Sequence, residues 1–332
     1  MKNFVGEDKM SQCMDKYKES FALEFAKVMQ KNGQRWSTSQ EKSIRNLYTK
    51  WVLAYIGGFI AGFIPLKREW LNYDLNFHII LAIICFIGAI FAAIFYEIYK
   101  LKEELKTDLY TNLLKAFGHD IVYDCGEISY SEYNDSQLFD KPVRHISVDN
   151  RFCGIFKDSP FVITKANLNY IKTSHGRTQE TKLFKGISMD FKMQKKIKSR
   201  VLIYSKGILK NNAPNGYEKV EFEYEKFNKK YDVYVQKSKD EISGQIEARY
   251  LFNTAFMDRF MQLHTSFKID KIKCSIFDDT MLVLLATNRD LFEINPLFKK
   301  IDDINHYQKL FEEFASVLSF LEVLNLSSKT GL

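Results

Sequence analysis

Residues 77–96, FHIILAIICFIGAIFAAIFY, run for twenty positions without a formal charge. As a helix, a run of that length covers about 30 Å, the thickness of a bilayer's hydrocarbon core. A second apolar run, WVLAYIGGFIAGFIPL at 51–66, ends ten residues upstream. Its sixteen positions are short for a span, and Tyr48 with the stems of Lys50 and Lys67 lengthens them by snorkelling. Two such runs so close together favour a transmembrane helical hairpin over two helices of one soluble core. The intervening KREWLNYDLN follows Pro65 and carries Trp70 and Tyr73, aromatic residues suited to a membrane interface.

The basic residues near the run ends orient the hairpin. Lys42, Arg45 and Lys50 precede the first run, Lys67 and Arg68 lie in the loop, and Lys100, Lys102, Lys106 and Lys115 follow the second. The flanks outnumber the loop, which predicts both chain ends on the cytoplasmic side. Small residues mark where helices can approach in lipid: Gly58 and Gly62 form a GxxxG beside Gly57 and Ala61, and Gly88 and Ala92 repeat the spacing. Packing within the hairpin is the first reading of that pattern and dimerisation the second. His78, at the outer end, reads as a wet interfacial side chain.

After Tyr96 the apolar positions become Ile98, Leu101, Leu105, Leu109 and Leu113, spaced as on one helix face, with neither Gly nor Pro before Gly118. The second run is therefore expected to continue out of the membrane as a helical stalk over 97–117. The stalk's stripe needs a partner, and Tyr17, Phe21, Phe25 and Val28 line a matching face within residues 1–50, an amphipathic N-terminal helix region. Residues 51–96 form the hairpin and 118–332 a separate domain.

That domain reads as α+β, mostly antiparallel sheet with helices. EKVEFEYE (218–225) alternates Val220, Phe222 and Tyr224 against glutamates. KIKCSIF and MLVLLAT, separated by Asp278, Asp279 and Thr280, read as a hairpin, and FVITKANLNYI, TKLFKGISMDF, RVLIYS and YDVYV as further strands. Asn253 is placed to cap a helix through Leu263, and Asn305, with Gln308 at the capping-box position, to cap another. NNAPNG at 211–216 is a loop that could split the sheet into two lobes.

Charge and cysteine content limit the function classes. Thirteen Lys and Arg stand against nine Asp and Glu before residue 101, and 35 against 32 after it. That surplus is too diffuse for the basic face that nucleic acid requires. The five cysteines show no paired or metal-ligand spacing and read as separate reduced thiols. No phosphate-binding loop, dinucleotide fingerprint or hydrolase signature occurs, and no cofactor is implied. His119-Asp120, Asp278-Asp279 and Asp302-Asp303 have ligand character, but sit where a helix end, a turn and a helix start are expected, so no metal site is assigned.

Two polar features stand out. Glu247 and Arg249, on a strand, would share a face and pair, and Asp258 with Arg259 could join that network. The stretch 182–200, KLFKGISMDFKMQKKIKSR, carries Lys182, Lys185, Lys192, Lys195, Lys196, Lys198 and Arg200 against Asp190 alone. Beside a membrane such a stretch meets anionic lipid headgroups; in solution it is a solvated edge.

The segments FKGISMDF (184–191), QIEARYLFNTAFMDRF (245–260) and LFE (291–293), with ITKANLNY (163–170) more loosely, resemble an uncharacterised bacterial family of two-pass membrane proteins with a C-terminal cytosolic domain of unknown function. The resemblance implies that architecture and a bacterial inner membrane; it brings no catalytic residue. The expected function is a membrane-anchored cytosolic binding or regulatory module, with an enzyme of the inner leaflet as the alternative. Its expected partners are the lipid bilayer, anionic headgroups, and a protein partner or second copy of the chain.

Overall fold

The computed structural model describes residues 4–63, 75–115, 121–156, 158–174, 177–208, 213–237, 241–267, 269, 271–293 and 300–329. In chain order its elements are α1 (Phe4–Phe63), α2 (Leu75–Leu114), β1 (Ile121–Tyr123), α3 (Tyr130–Asn134), β2 (His145–Phe156), β3 (Ser159–Ser174), β4 (Arg177–Ser205), β5 (Tyr217–Val220), α4 (Glu225–Lys230), β6 (Tyr231–Gln236), α5 (Glu241–Leu251), α6 (Thr254–Phe267), β7 (Lys271–Ala286) and α7 (Asn305–Lys329). The fold is α+β, with one antiparallel sheet and helices. Two compact units divide it: Met1–Leu23 with Leu114–Glu293 and Gln308–Leu332, and Glu24–Leu113 with Ile294–Tyr307.

The first unit holds the sheet, whose seven strands among the described residues run β1-β2-β3-β4-β6-β5, with β7 on the other edge of β4. β4 organises it, pairing with β3 over Phe161↔Phe191 to Ser174↔Arg177 and with β7 from Gly186↔Ala286 to Tyr204↔Lys273. Drawn straight, the eighteen steps from residue 186 to 204 would cover about 60 Å. Register shifts between Lys192 and Val201 bend the strand instead. The bend brings Phe184 and Leu202 into one core cluster with Leu168, Leu284, Tyr204, Tyr234 and Tyr133. The opposite face packs on α7, where Phe314 meets Phe152 at 4.9 Å and Phe320 meets Phe191 at 5.6 Å. Period-two alternation assigns the two faces: Ile187, Met189 and Phe191 are buried on one, Ser188 and Asp190 lie on the other.

Long-range pairing corrects several local expectations. Residues 271–286 form one strand, not a hairpin; Asp278 takes a positive φ of 51° and kinks β7 where a turn was expected. TKLFKGISMDF and RVLIYS are two ends of β4, since both pair with β7. The alternation of EKVEFEYE ends at Val220, and Phe222 leaves the sheet to stack on Phe252 at 5.1 Å. Asn253 does cap α6, its Oδ1 accepting from the Phe256 N–H at 2.9 Å. Asn305 is not the cap of α7: Asp303 Oδ1 accepts from its N–H at 3.0 Å, and Gln308 donates forward to Glu312.

The second unit contains α1 from Glu24 and α2 to Leu113; α2 runs on past Tyr96 without a break, as expected of the stalk, and α1 passes residue 50 unbroken. Trp36 Nε1–H donates to Asp108 Oδ2 at 3.1 Å, Arg35 pairs with the same carboxylate, and Lys50 pairs with Glu97. Rising numbers on α1 meet falling numbers on α2, so these helices lie antiparallel. Phe25 faces Tyr307 at 5.3 Å in this unit, and in the first unit Phe21 faces Phe311 at 4.8 Å. Two residues of the stripe expected to meet the stalk, Phe21 and Phe25, thus contact residues of α7. Among the described residues no helix is long and apolar enough to cross a membrane. The loop 64–74 and the side chains of 75–85, 87 and 89, His78 included, lie outside the description.

Candidate functional site

Next to the Lys50–Glu97 pair, α1 exposes Trp51, Val52, Leu53, Tyr55 and Ile56, and α2 exposes Phe91, Phe95, Tyr96 and Tyr99. Leu53 is 63 % exposed, Tyr55 71 % and Phe95 68 %. Large apolar side chains exposed in such number on two neighbouring stretches of helix are uncommon on a protein surface in water. The Lys50 ammonium lies 5.6 Å from the centre of the Tyr96 ring, closing the belt at its polar end. Within it Gly88 faces open space, with nothing within 4 Å of where a Cβ would stand, and Ala92 is exposed. The surroundings of Gly58 and Gly62 lie outside the described residues.

Lys182, Lys185, Lys192, Lys196 and Lys198 are exposed along β4; the Lys195 side chain lies outside the description. They do not form one free edge. Lys192 donates to Asp279 at 3.0 Å, which holds that carboxyl below its ordinary range, and Lys196 reaches Asp278 at 3.4 Å. Arg200 lies 4.8 Å from the centre of the Phe277 ring. The acidic pair at 278–279 thus serves β4, and Asp303 serves the start of α7. Among the described residues no group of His, Cys, Asp and Glu could hold a metal ion; His119-Asp120 lies outside them.

Lys182 and Lys185 instead rim a pocket of about 340 Å³ between the start of β4 and both ends of β7. Lys271 and Lys273 complete the rim, and Leu183, Phe184, Ile208 and Leu284 make an apolar lining. Lys273 Nζ donates to the Leu138 carbonyl at 3.3 Å and sits 5.0 Å from the centre of the Phe139 ring. Burial lowers the pKa of Lys273 against the pull of Asp140, with Lys271 adding to the fall. Sequence distance hid this pocket, since its lysines come from segments nearly ninety residues apart.

Glu247, Arg249, Asp258 and Arg259 are not brought into one network. Residues 241–251 form a helix, so Glu247 and Arg249, two positions apart, point to different sides. Glu247 accepts the backbone N–H groups of Lys198 and Ser199 at 2.9–3.0 Å, filling donors that the irregular stretch of β4 leaves unpaired in the sheet. Asp258 accepts the Tyr224 hydroxyl at 2.5 Å, Arg259 donates to Gln262, and Arg249 is exposed. Glu247→Ala should cost about 1 kcal/mol, because the exposed Lys198 amide and the part-buried Ser199 amide lose a charged acceptor, while Glu247→Gln keeps one and should cost less. Thermal unfolding of the two variants checks this.

The sequence concealed further buried charges. Arg151 on β2 is 8 % exposed, its Nε and Nη1 have no hydrogen-bond partner, and Glu132 stands 3.6 Å from Nη2. Asp190 lies on the same sheet face; burial pushes its pKa to about 6, against Lys192 and Arg151, which lower it, while Glu132 and Asp279 raise it. Glu313 on α7 accepts the Phe292 N–H at 2.5 Å, and burial pushes it to about 7 against that bond and Lys309, with Glu312 adding to the rise. Both acids hold a proton more readily folded than unfolded. Their contribution to stability is complete below about pH 4 and is lost as pH rises through 6 and 7. Stability should therefore fall from pH 4 to pH 8, by at most about 3 kcal/mol per acid at 1.36 kcal/mol per unit. Asp190→Asn with Glu313→Gln should flatten that slope in thermal melts taken across the range.

Lys165 Nζ gathers Asp290 at 3.2 Å, Glu293 at 3.3 Å and Asp149 at 3.5 Å. Burial works against its charge, and Glu293 with Asp290 outweighs that, so its pKa rises. The centre pins the segment after β7, where Phe292 sits buried at φ 54° and its carbonyl accepts from Asn150 at 3.1 Å. Cys125 and Cys153, expected as separate thiols, form a disulfide with Cα atoms 6.0 Å apart, because β1 and the residues after it lie along β2.

The segments that carried the family resemblance thus hold the sheet together: Gly186 lets β4 and β7 close, Glu247 serves the irregular stretch, and Glu293 holds Lys165. No curated protein matches the chain. Among solved structures the chain is similar to the crystal structure of the mycobacterial trehalose monomycolate transport factor A, TtfA, at 12% identity and a TM-score of 0.30, over 63% of this chain and 90% of that one. Residues 182–326, which include FKGISMDF, QIEARYLFNTAFMDRF and LFE, match a family described as "Protein of unknown function (DUF3137)", so a domain of unknown function covers that part of the chain.

Proposed function

We propose that the protein is a membrane-anchored binding module, in which α1 and α2 hold the chain in a bacterial inner membrane and the sheet domain works beside the anionic surface of that bilayer. The observation that carries this is the apolar belt, Trp51 to Ile56 on α1 and Phe91 to Tyr99 on α2, beside an uncharged run carried on the unbroken backbone of α2. Lipid is the solvent in which those side chains lose nothing by being exposed. Seven bases flank the two runs and two lie between them, which supports both chain ends facing the cytoplasm. Disulfides persist mainly outside reducing compartments. The Cys125–Cys153 disulfide therefore favours a non-reducing side for the sheet domain, against the count of bases, and the protease test below decides between the two orientations.

Membrane fractionation with protease added from either side tests the reading. The full chain is expected in the alkaline-carbonate-resistant pellet, with tags on both ends cleaved only after the cells are opened. Release into the supernatant by carbonate would overturn the anchoring; cleavage of either tag on intact cells would overturn the orientation.

A further inference from the structure

We infer that the lysine-rimmed pocket between β4 and β7 binds the phosphate-bearing head of an anionic phospholipid, with the first part of its acyl region laid on the apolar lining. Availability of the lipid rests on the membrane-anchored reading; the chemistry of the pocket does not.

Charge selects the ligand class. Lys182, Lys185, Lys271 and Lys273 all line the pocket, and no acidic residue does. Elsewhere on β4, Lys192 is paired with Asp279 and Lys196 with Asp278. Lys182, Lys185 and Lys271 have no carboxylate partner among the described residues. Lys273 is mostly buried, held by a carbonyl oxygen and a ring face, and Asp140, which does not line the pocket, is the acid that offsets part of its charge. Gathering four ammonium groups around one opening is unfavourable unless an anion enters.

Shape and polarity make the ligand an amphiphile rather than a free anion. About 340 Å³ lies within the range of small-molecule sites, and a phosphate alone would fill little of it. The remaining wall is Leu183, Phe184, Ile208, Leu284 and Ala286. Phe184 and Leu284 belong to the sheet's core, with Leu183, Ile208 and Ala286 packed against it, so an apolar tail entering there meets side chains already clustered away from water. A polar headgroup at a charged rim above an apolar lining is the arrangement of a lipid at the bilayer surface.

The test titrates the full chain, held in nanodiscs of neutral phosphatidylcholine, with lysophosphatidylglycerol, lysophosphatidylcholine of the same chain length, and inorganic phosphate. Lysophosphatidylglycerol is expected to bind at least tenfold more tightly than either of the others. Lys182→Glu with Lys185→Glu, both on exposed side chains, should weaken it about thirtyfold or more, as two bases lost from an anionic contact imply. Lys226→Glu with Lys230→Glu changes the net charge equally on exposed residues of α4 and should leave binding within twofold. Equal affinity for the two lysolipids, equal affinity for inorganic phosphate, or the same loss in both charge-reversed pairs overturns the inference. Should the chain prove soluble without lipid, the anchoring reading fails alone, and the same titration without nanodiscs still tests the pocket.

Discussion

Gly186→Ala should abolish folding of the sheet domain, the largest effect expected of any single substitution in this chain. A Cβ at residue 186 would stand 2.0 Å from the Leu285 carbonyl oxygen and 3.0 Å from the Thr287 nitrogen, both backbone atoms, and φ is 153°. Rotamer changes relieve neither contact, so β4 and β7 would have to part where β4 also pairs with β3 at Ala166. Buried strain and overpacking commonly cost 1–3 kcal/mol, and displacement of a central ladder adds to it, so a loss above about 4 kcal/mol is expected. The measurement is the yield and thermal midpoint of the variant beside Gly207→Ala, whose Cβ meets nothing within 4 Å although its φ is also positive. A Gly186→Ala protein melting within a few degrees of the parent would refute the close approach.

Under the anchoring proposed above, Phe91→Asp with Phe95→Asp should move the chain from the membrane pellet to the supernatant. In water both side chains are exposed, and surface substitutions of that kind change stability by about 0.5 kcal/mol or less. In a lipid-embedded helix each aspartate costs up to about 3 kcal/mol, depending on its depth, so two together shift partitioning by two orders of magnitude or more. The sheet domain should remain folded, since neither residue belongs to it. Sedimentation of the variant with membranes in the same proportion as the parent would contradict the anchoring.

Local pattern revealed the parts that depend on local chemistry. The Asn253 cap of α6 was legible because a cap is satisfied within three residues. The strand in TKLFKGISMDF was legible because Ile187, Met189 and Phe191 are buried on one face and alternate with polar Ser188 and Asp190 on the other. The strand assignment around Glu247 failed because Ala248 and Phe252, both buried, fit a helix laid on the sheet as well as a strand within it. The hairpin at Asp278 failed for a different reason: a residue at positive φ kinks a strand as readily as it turns one, and the choice lay with β4, eighty residues away.

By itself the sequence determined where composition and period change along the chain: two uncharged runs with basic flanks, a helix carried on past Tyr96, and an alternating domain rich in aromatic residues. Hydrophobic period reports which face of an element is hidden, and that is a property of neighbouring residues. Only the tertiary structure decided which strands became one, that Glu247 serves backbone amides, that Cys125 meets Cys153, and that four scattered lysines share one opening. Those outcomes rest on contacts across tens of residues, where composition is silent and the geometry of the bent β4 chooses the neighbours.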